Sequence, residues 1–274
     1  TVAGLWVARE QLQSTWPYGG FAWGRIAITQ ADGPLVGLVY WLGFAGLSGL
    51  IVFSCALVVA ILASPKLAIP RKAIAVMLIG MVLAALSTVP VTKVEETSTL
   101  RVAAVQGNSK SAIFDERENG DVIRDHIAAT NQLLDALEAR GESVDLIVWP
   151  ENSGEFQLPD QHYRSVEVQR LAKRAGAPIV VGTILQNDDG TFTNSTLVFD
   201  EDGATDLRYD KRRPVPFAEY MPNRAFFGAL APELVGMVQL EYSFGQLPAV
   251  LPIDTGAGEV RAGIAARGMV VLQA

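Results

Sequence analysis

Cysteine is almost missing from this chain. Cys55 stands alone among 274 residues, so neither an internal disulfide framework nor a cysteine-built zinc site is available. Histidine is nearly as scarce. His126 and His162 fall in stretches that read as helices and lie too far apart for a His-x3-His clip, so no metal is expected. Positive charge is in deficit: a formal charge of −7 and a pI near 5.0 argue against nucleic acid as a partner, and the short Lys211-Arg212-Arg213 run is too local to change that. The cluster Gly19 to Gly24 lacks dinucleotide-fingerprint spacing and a strand before it. Gly46-Leu47-Ser48-Gly49 lacks the last spacing of a serine-hydrolase elbow and sits in an apolar run. There are no repeats or low-complexity tracts. The chain opens at Thr1 without a basic leader or cleavage site, which reads as part of something longer.

What the sequence does have is apolar length. Half of its residues are hydrophobic, and both Leu35 to Ala63 and Ala73 to Val89 are free of charge. A bilayer crossing needs about 20 such residues, so the two runs (35–63 and 73–89) are expected to form a transmembrane helical hairpin within residues 35–90. Gly37, Gly43, Gly46 and Gly49 offer a small-residue packing face, and Cys55 reads as a small hydrophobe inside the first span. The connector holds Pro65, Lys66, Pro70, Arg71 and Lys72. Its basic character places it on the cytoplasmic side, with residues 1–34 and the rest of the chain outside. Trp6, Trp16 and Trp23, with Gly19, Gly20 and Gly24, make 1–34 an expected extracytoplasmic Trp- and Gly-rich loop whose tryptophans lie at headgroup level.

After a polar linker, Lys93 to Thr99, the pattern changes. Leu100–Gln106 alternates as a strand and Asp121–Arg140 has helical spacing through Ile123, Ile127, Leu134 and Leu137. Asp145–Trp149 is the next strand, and His162–Ala175 a helix stopped by Gly176 and Pro178. Strands follow at Pro178–Ile184 and Phe192–Phe199, with Asp206–Tyr209 returning as a hairpin, then Ala249–Ile253 and Glu259–Ala265 around Gly256 and Gly258. Alternating strands and helices followed by paired strands predict an α/β layered domain over 99–274.

Two stretches carry the chemistry. Asp145 to Glu151 is an apolar run that delivers a carboxylate past Pro150, as a strand end opening into a site does. Tyr209 to Pro222 is dense in charge and aromatics, and Pro214 and Pro216 bar it from a regular helix or central strand. Glu151 and Lys211 are expected to meet, with Glu219 nearby. A partly desolvated carboxylate suits general-base duty and an ammonium suits a developing oxyanion. A structural ion pair fits the same residues, and a solvated loop fits the KRR run. Asn194-Ser195-Thr196 matches a glycosylation sequon, a triplet frequent by chance.

Trp149-Pro150-Glu151, followed by Tyr209-Asp-Lys211-Arg-Arg-Pro-Val-Pro-Phe217-Ala-Glu219-Tyr-x-Pro222, resembles the carbon–nitrogen hydrolase (nitrilase) superfamily. With two spans upstream, the chain resembles its bacterial apolipoprotein N-acyltransferase branch, and Trp16-Pro17-x-Gly-Gly20-Phe21-x-Trp23-Gly24 resembles that family's extracytoplasmic loop. The resemblance implies a membrane helical hairpin plus an α/β nitrilase-like (α-β-β-α sandwich) domain, incomplete at the C-terminus. It makes Glu151 the general base, Lys211 the oxyanion-stabilising lysine and Glu219 a further essential glutamate. Trp149, Tyr209, Phe217 and Tyr220 are expected to border the substrate. No cofactor is implied. The implied reaction moves a fatty acyl chain from a phospholipid donor, through a cysteine thioester, to the N-terminal amine of a diacylglyceryl-cysteine lipoprotein. The implied location is the bacterial inner membrane, multi-pass, with the catalytic domain extracytoplasmic. Phe226, Phe227 and Leu230 then read as an apolar arm toward the membrane or as a core helix.

The sequence departs from that family where the nucleophile belongs. After Val260–Ala265 it continues Ala266-Arg267-Gly268-Met269-Val270-Val271-Leu272-Gln273-Ala274, with Arg267 near the place of the cysteine. The chain as written is therefore expected to be inactive, Cys55 being in the wrong context to substitute. Two other readings stay open: a membrane anchor for a polyprenol-phosphate mannose synthase, as some actinobacterial members of the family resemble, and a carbon–nitrogen amidase acting on a small amide. The amidase leaves both spans unexplained.

Overall fold

The helix α4 (Asp121–Arg140) forms where Ile123, Leu134 and Leu137 recur on one buried face, and it ends at Gly141, whose φ of 63° closes the C-terminal turn. α5 (His162–Ala175) ends the same way at Gly176, φ 59°. The two lie side by side, tied by Arg174, which pairs with Asp135 and Glu138 of α4. Both cover one face of a five-stranded sheet in a computed structural model that describes residues 1–92, 99–109, 118–265 and 269–273. The linker at 93–98 and the Ala266–Gly268 stretch, with Arg267, lie outside the described residues.

The chain divides into two units, Thr1–Glu95 and Glu96–Ala274. In the second, β1 (Val102–Ala104), β2 (Leu146–Val148), β3 (Ile179–Gln186), β4 (Phe192–Asp200) and β5 (Gly203–Asp210) form one sheet in sequence order. The pairs β1–β2 and β2–β3 are parallel, each joined by a helical crossover, while β3–β4–β5 is an antiparallel meander. β6 (Val250–Thr255), β7 (Gly258–Ala265) and β8 (Met269–Gln273) form a separate antiparallel sheet.

Strand parity sorts the side chains between two cores. Ile147, Ile179, Val181, Leu197 and Phe199 face the helices, while Leu146, Val180 and Val198 face β6 and β7 through Leu251, Ile253, Ala262 and Ile264. This α-β-β stack is nitrilase-like layering, and it explains why β2 and β3 read as continuous apolar runs. Phe199 is fully buried. Such burial contributes roughly 2–3 kcal/mol, and truncation to Ala costs about 3–5 kcal/mol.

In the first unit, residues 1–34 differ from the expected loop. They open with a helix, α1 (Val2–Gln13), before two short 3-10 turns, Ala22–Gly24 and Ile26–Gln30. The buried Glu10 fixes the return of the chain by accepting the Trp6 Nε1–H and the Ile26 N–H, each at 2.9 Å. α2 (Leu38–Ala63) and α3 (Ile69–Ser87) are long and apolar enough to cross a membrane. Their large apolar side chains stay exposed, Phe53, Leu62, Met77 and Met81 among them, which suits lipid rather than water. α3 begins earlier than expected because Pro70 fits a first turn, where no N–H partner is needed. Lys72 Nζ donates to the Leu62 carbonyl at the end of α2, 2.6 Å away. The expected small-residue face is realised only in part: Gly49 admits Val7 of α1, whereas Gly43 breaks the helix at φ 62°.

Candidate active site

Glu151 arrives from the end of β2. The ladder continues one residue, Trp149 N–H donating to Val180 O at 2.9 Å, before Pro150 stops it. The turn that follows is sewn to β3 by Gly154 N–H, which donates to Gly182 O at 2.7 Å. Gly182 has to be glycine: a Cβ there stands 2.7 Å from Pro150 O and 2.8 Å from Glu151 Cα.

Lys211 extends β5. Its N–H donates to Asn194 O of β4 at 2.8 Å, and its carbonyl accepts Gly245 N–H at 3.0 Å. Glu219 sits in a self-closing turn, where its Oε2 accepts Val215 N–H at 2.6 Å and its own N–H donates to Val215 O at 2.8 Å. Phe217 heads that turn in the left-handed region, φ 64°.

These elements bring three expected residues together. Lys211 Nζ donates to Oε1 of Glu151 and to Oε1 of Glu219, both at 2.9 Å. Asn194 Nδ2 donates to the same two oxygens, at 2.5 and 3.1 Å. The Lys211 side chain is only 7% exposed and that of Glu219 17%, whereas Glu151 keeps 31% and faces a cavity of about 580 Å³. Two of the three ammonium donors are spent on carboxylates, leaving one for an incoming oxygen. A half-open carboxylate beside a desolvated ammonium can take up a proton and hold developing negative charge within the same few ångströms.

The cavity is also lined by His126, Glu155 and Tyr242, none of them picked out from the sequence as site residues. Burial pushes the Tyr242 phenol up to about 12, helped by the negative charges of Glu219 and Glu151. Burial holds the His126 imidazole below its ordinary value, against the opposing pull of the Val122 carbonyl and the Asp125 charge. Asn194 was visible only as a sequon. The residue is 7% exposed and its side chain is bonded to both carboxylates, and an asparagine in the middle of a strand that reads as buried was the available signal.

Two expected substrate contacts are corrected by the structure. Trp149 is buried in the helix-side core, with Nε1 donating to Thr130 Oγ1 at 3.0 Å. Tyr209 is buried between the sheets, with its hydroxyl accepting Arg212 N–H at 3.4 Å. Each follows its strand into a core, whereas Glu151, two residues on, lies in the turn past Pro150 and Lys211 lies just past the end of β5, where the strand alternation no longer holds. Phe217 and Tyr220 lie on the rim loop, edge-on to Phe227 and Phe244 at 5.1 Å. On α6 (Arg224–Leu230), Phe226 and Leu230 are exposed, while Phe227 packs toward Met221, Val235 and Val238, the last two from or beside α7 (Pro232–Met237). Cys55 is exposed on α2, and residues 96–274 contain no cysteine. No grouping of described residues could hold a metal ion.

Comparison with known proteins places this geometry. Residues 101–270 match the carbon-nitrogen hydrolase family model, and residues 1–57 match that of the apolipoprotein N-acyltransferase N-terminal domain. Curated relatives include the apolipoprotein N-acyltransferases of Mycolicibacterium smegmatis (33% identical; 50% of this chain, 24% of the relative), Haemophilus ducreyi (26%; 84% and 44%) and Geobacter metallireducens (26%; 93% and 49%). The chain thus spans less than half the length of each. Among solved structures, an N-terminal amidase (14% identical, TM-score 0.35, 60% of this chain and 38% of that one) and a carbon-nitrogen hydrolase from Helicobacter pylori (16%, 0.35, 58% and 50%) are similar, too distantly to carry a functional argument.

Proposed function

This chain belongs to the carbon–nitrogen hydrolase family, and on that premise we propose that it is the membrane-tethered part of an acyltransferase that moves a fatty acyl chain from phospholipid to the N-terminal amine of a diacylglyceryl lipoprotein. The observation that carries the reading is the cluster in which Lys211 bridges Glu151 and Glu219 at 2.9 Å, downstream of two helices long enough to span a bilayer. In this reading Glu151 is the general base that takes a thiol proton. Lys211 stabilises the tetrahedral oxyanion, and Glu219 holds the ammonium in register. The thiol itself must come from outside the described cluster. Both substrates are lipids, which accounts for a catalytic domain joined to apolar helices. The proposal sets the helices in the bacterial inner membrane, with residues 1–34 and the second unit on its outer side.

The test uses a version extended to the full length of the relatives. Transfer of a labelled acyl chain from phosphatidylethanolamine to a diacylglyceryl peptide is expected, with covalent acyl-enzyme as the intermediate. Lys211→Ala and Glu151→Ala are each expected to lower it by about a thousandfold, the scale on which oxyanion and proton-transfer groups act. Undiminished acyl-enzyme formation in Lys211→Ala refutes the assignment.

A further inference from the structure

Behind the ion cluster, on the other face of β4, lies a polar group that the proposed chemistry does not use. Thr193 and Ser195 alternate with Asn194, so they point away from the side that Asn194 presents to Glu151 and Glu219. Both are buried, and so is Asp210, the last residue of β5, which stands opposite Ser195 in the ladder. Asp210 Oδ1 lies 2.6 Å from Ser195 Oγ and accepts Arg208 Nε–H at 2.7 Å. Thr193 Oγ1 accepts Arg208 Nη2–H at 3.1 Å and stands 3.0 Å from Ser195 Oγ. A carboxylate has no proton to give, so the Ser195 hydroxyl donates to Asp210 and accepts the Thr193 proton in turn. Each hydroxyl then donates once and accepts once, and a ring closes from the guanidinium through two hydroxyls to the carboxylate and back. Its ionised ends polarise the neutral members and strengthen each link.

The place of the ring in the ladder gives it a use. β4 and β5 pair at Asp200–Gly203 and Phe199–Ala204, the register then shifts, and three rungs follow: Leu197–Arg208, Thr196–Tyr209 and Ser195–Asp210. An irregularity of this kind breaks the ladder locally, and the short end beyond it is prone to fray. That end carries the site. Lys211 N–H donates to Asn194 O one step past the Ser195–Asp210 rung, and the two side chains hold both carboxylates. The ring ties β4 to β5 twice on this segment, through Ser195 with Asp210 and through Thr193 with Arg208. We infer that Thr193 and Ser195 are positioning residues, which act through Arg208 and Asp210 to hold Asn194 and Lys211 at hydrogen-bond distance from Glu151 and Glu219. The inference rests on the acid–base reading of that cluster and adds to it a brace that acts from behind.

The test reads Lys211 directly, by NMR on the full chain in detergent with 15N-labelled lysine. A buried ammonium held by two carboxylates exchanges its protons slowly enough to be seen, and loss of the signal in Lys211→Arg assigns it. Thr193→Val, which keeps the side-chain shape without the hydroxyl, and Ser195→Ala are each expected to speed that exchange about tenfold, the scale of one hydrogen bond. Thr193→Ser, which keeps the hydroxyl, is expected to exchange at the parent rate. In the version extended to the full length of the relatives, Thr193→Val and Ser195→Ala are expected to lower kcat about tenfold with KM unchanged, because the reacting groups move and the binding surface does not. Parent-rate exchange in both variants, with the fluorine resonance of a labelled Trp149 still that of the folded chain, overturns the inference. So does fast exchange in Thr193→Ser, or a parent chain without a slow Lys211 signal. Exchange is read without substrate. Failed acyl transfer beside the expected exchange pattern counts against the function alone, and transfer at the parent kcat in both variants counts against the positioning.

Discussion

Replacing Lys211 by Met removes the one cation between Glu151 and Glu219 while keeping the length of the side chain. Two ion pairs at 2.9 Å are lost, leaving Glu151 on Asn194 and Glu219 on Asn194 and the Val215 N–H. Removing one partner of a buried pair costs about 3–5 kcal/mol, because the remaining charge is stranded in a poor solvent. Here the lower end applies, about 3 kcal/mol, since the Glu151 side chain is 31% exposed and water can reach it. Adding Glu219→Gln to Lys211→Met is expected to recover about 1–2 kcal/mol, because it deletes the like-charge contact without emptying the site. Trp149 is the only tryptophan of the second unit, so its resonance in chain labelled with 5-fluorotryptophan reports unfolding of that unit alone under urea. A loss below about 1 kcal/mol, or a double variant less stable than Lys211→Met, refutes the reasoning: the charges would then be balanced by solvent, not by each other.

Gly182→Ala is expected to cost about 1–3 kcal/mol by driving a methyl into Pro150 O and Glu151 Cα, and to release Glu151 from Lys211, read as lost hydrogen-exchange protection at Gly154 N–H. Gly245→Ala places a Cβ 2.0 Å from Asp210 O and should disturb the Lys211 side of the site, with the same urea titration showing whether it does. His126 has a folded-state value below the ordinary 6.5, so the unfolded chain binds the proton more readily. Its contribution to stability is therefore complete above about pH 6.5 and is lost progressively as pH falls below it. In His126→Leu the slope of stability against pH between 5 and 7 should flatten, and an unchanged slope counts against a neutral buried imidazole. Phe226→Ser with Leu230→Ser should leave the stability of the second unit within about 0.5 kcal/mol, because both side chains are exposed.

Much of the second unit was legible because its signals are local. α4 and α5 run as read, from Asp121 to Arg140 and from His162 to Ala175, since an apolar face and a stopping glycine are both written in the chain. The meeting of Glu151 with Lys211 was legible for a similar reason: a proline at a strand end and a proline-rich loop are places where charge leaves regular structure. Trp149 and Tyr209 misled because motif proximity does not say where a strand's alternation stops. Trp149 and Glu151 are two residues apart, a spacing that shares a face on a strand, but Pro150 ends the strand between them, and the Thr130 hydroxyl that satisfies the Trp149 indole lies on a helix no local signal connects to it. α1 was obscured by the Trp- and Gly-rich stretch after it, although Val2–Gln13 itself holds no proline and a single glycine. His126, Glu155 and Tyr242 share one cavity only through tertiary packing, which periodicity does not encode.

The switch of the large sheet from parallel to antiparallel pairing at β3 also sets an order of assembly. Asn194, Lys211 and Glu219 belong to one continuous meander and its following turn, where contacts close over short loops and form early. Glu151 joins them across 60 residues of sequence, carried by a strand of only three residues. The ammonium is thus in place before its open carboxylate partner. β2 lies between β1 and β3, with Ile147 in one core and Leu146 in the other, so a carboxylate that joins late leaves only when both cores open.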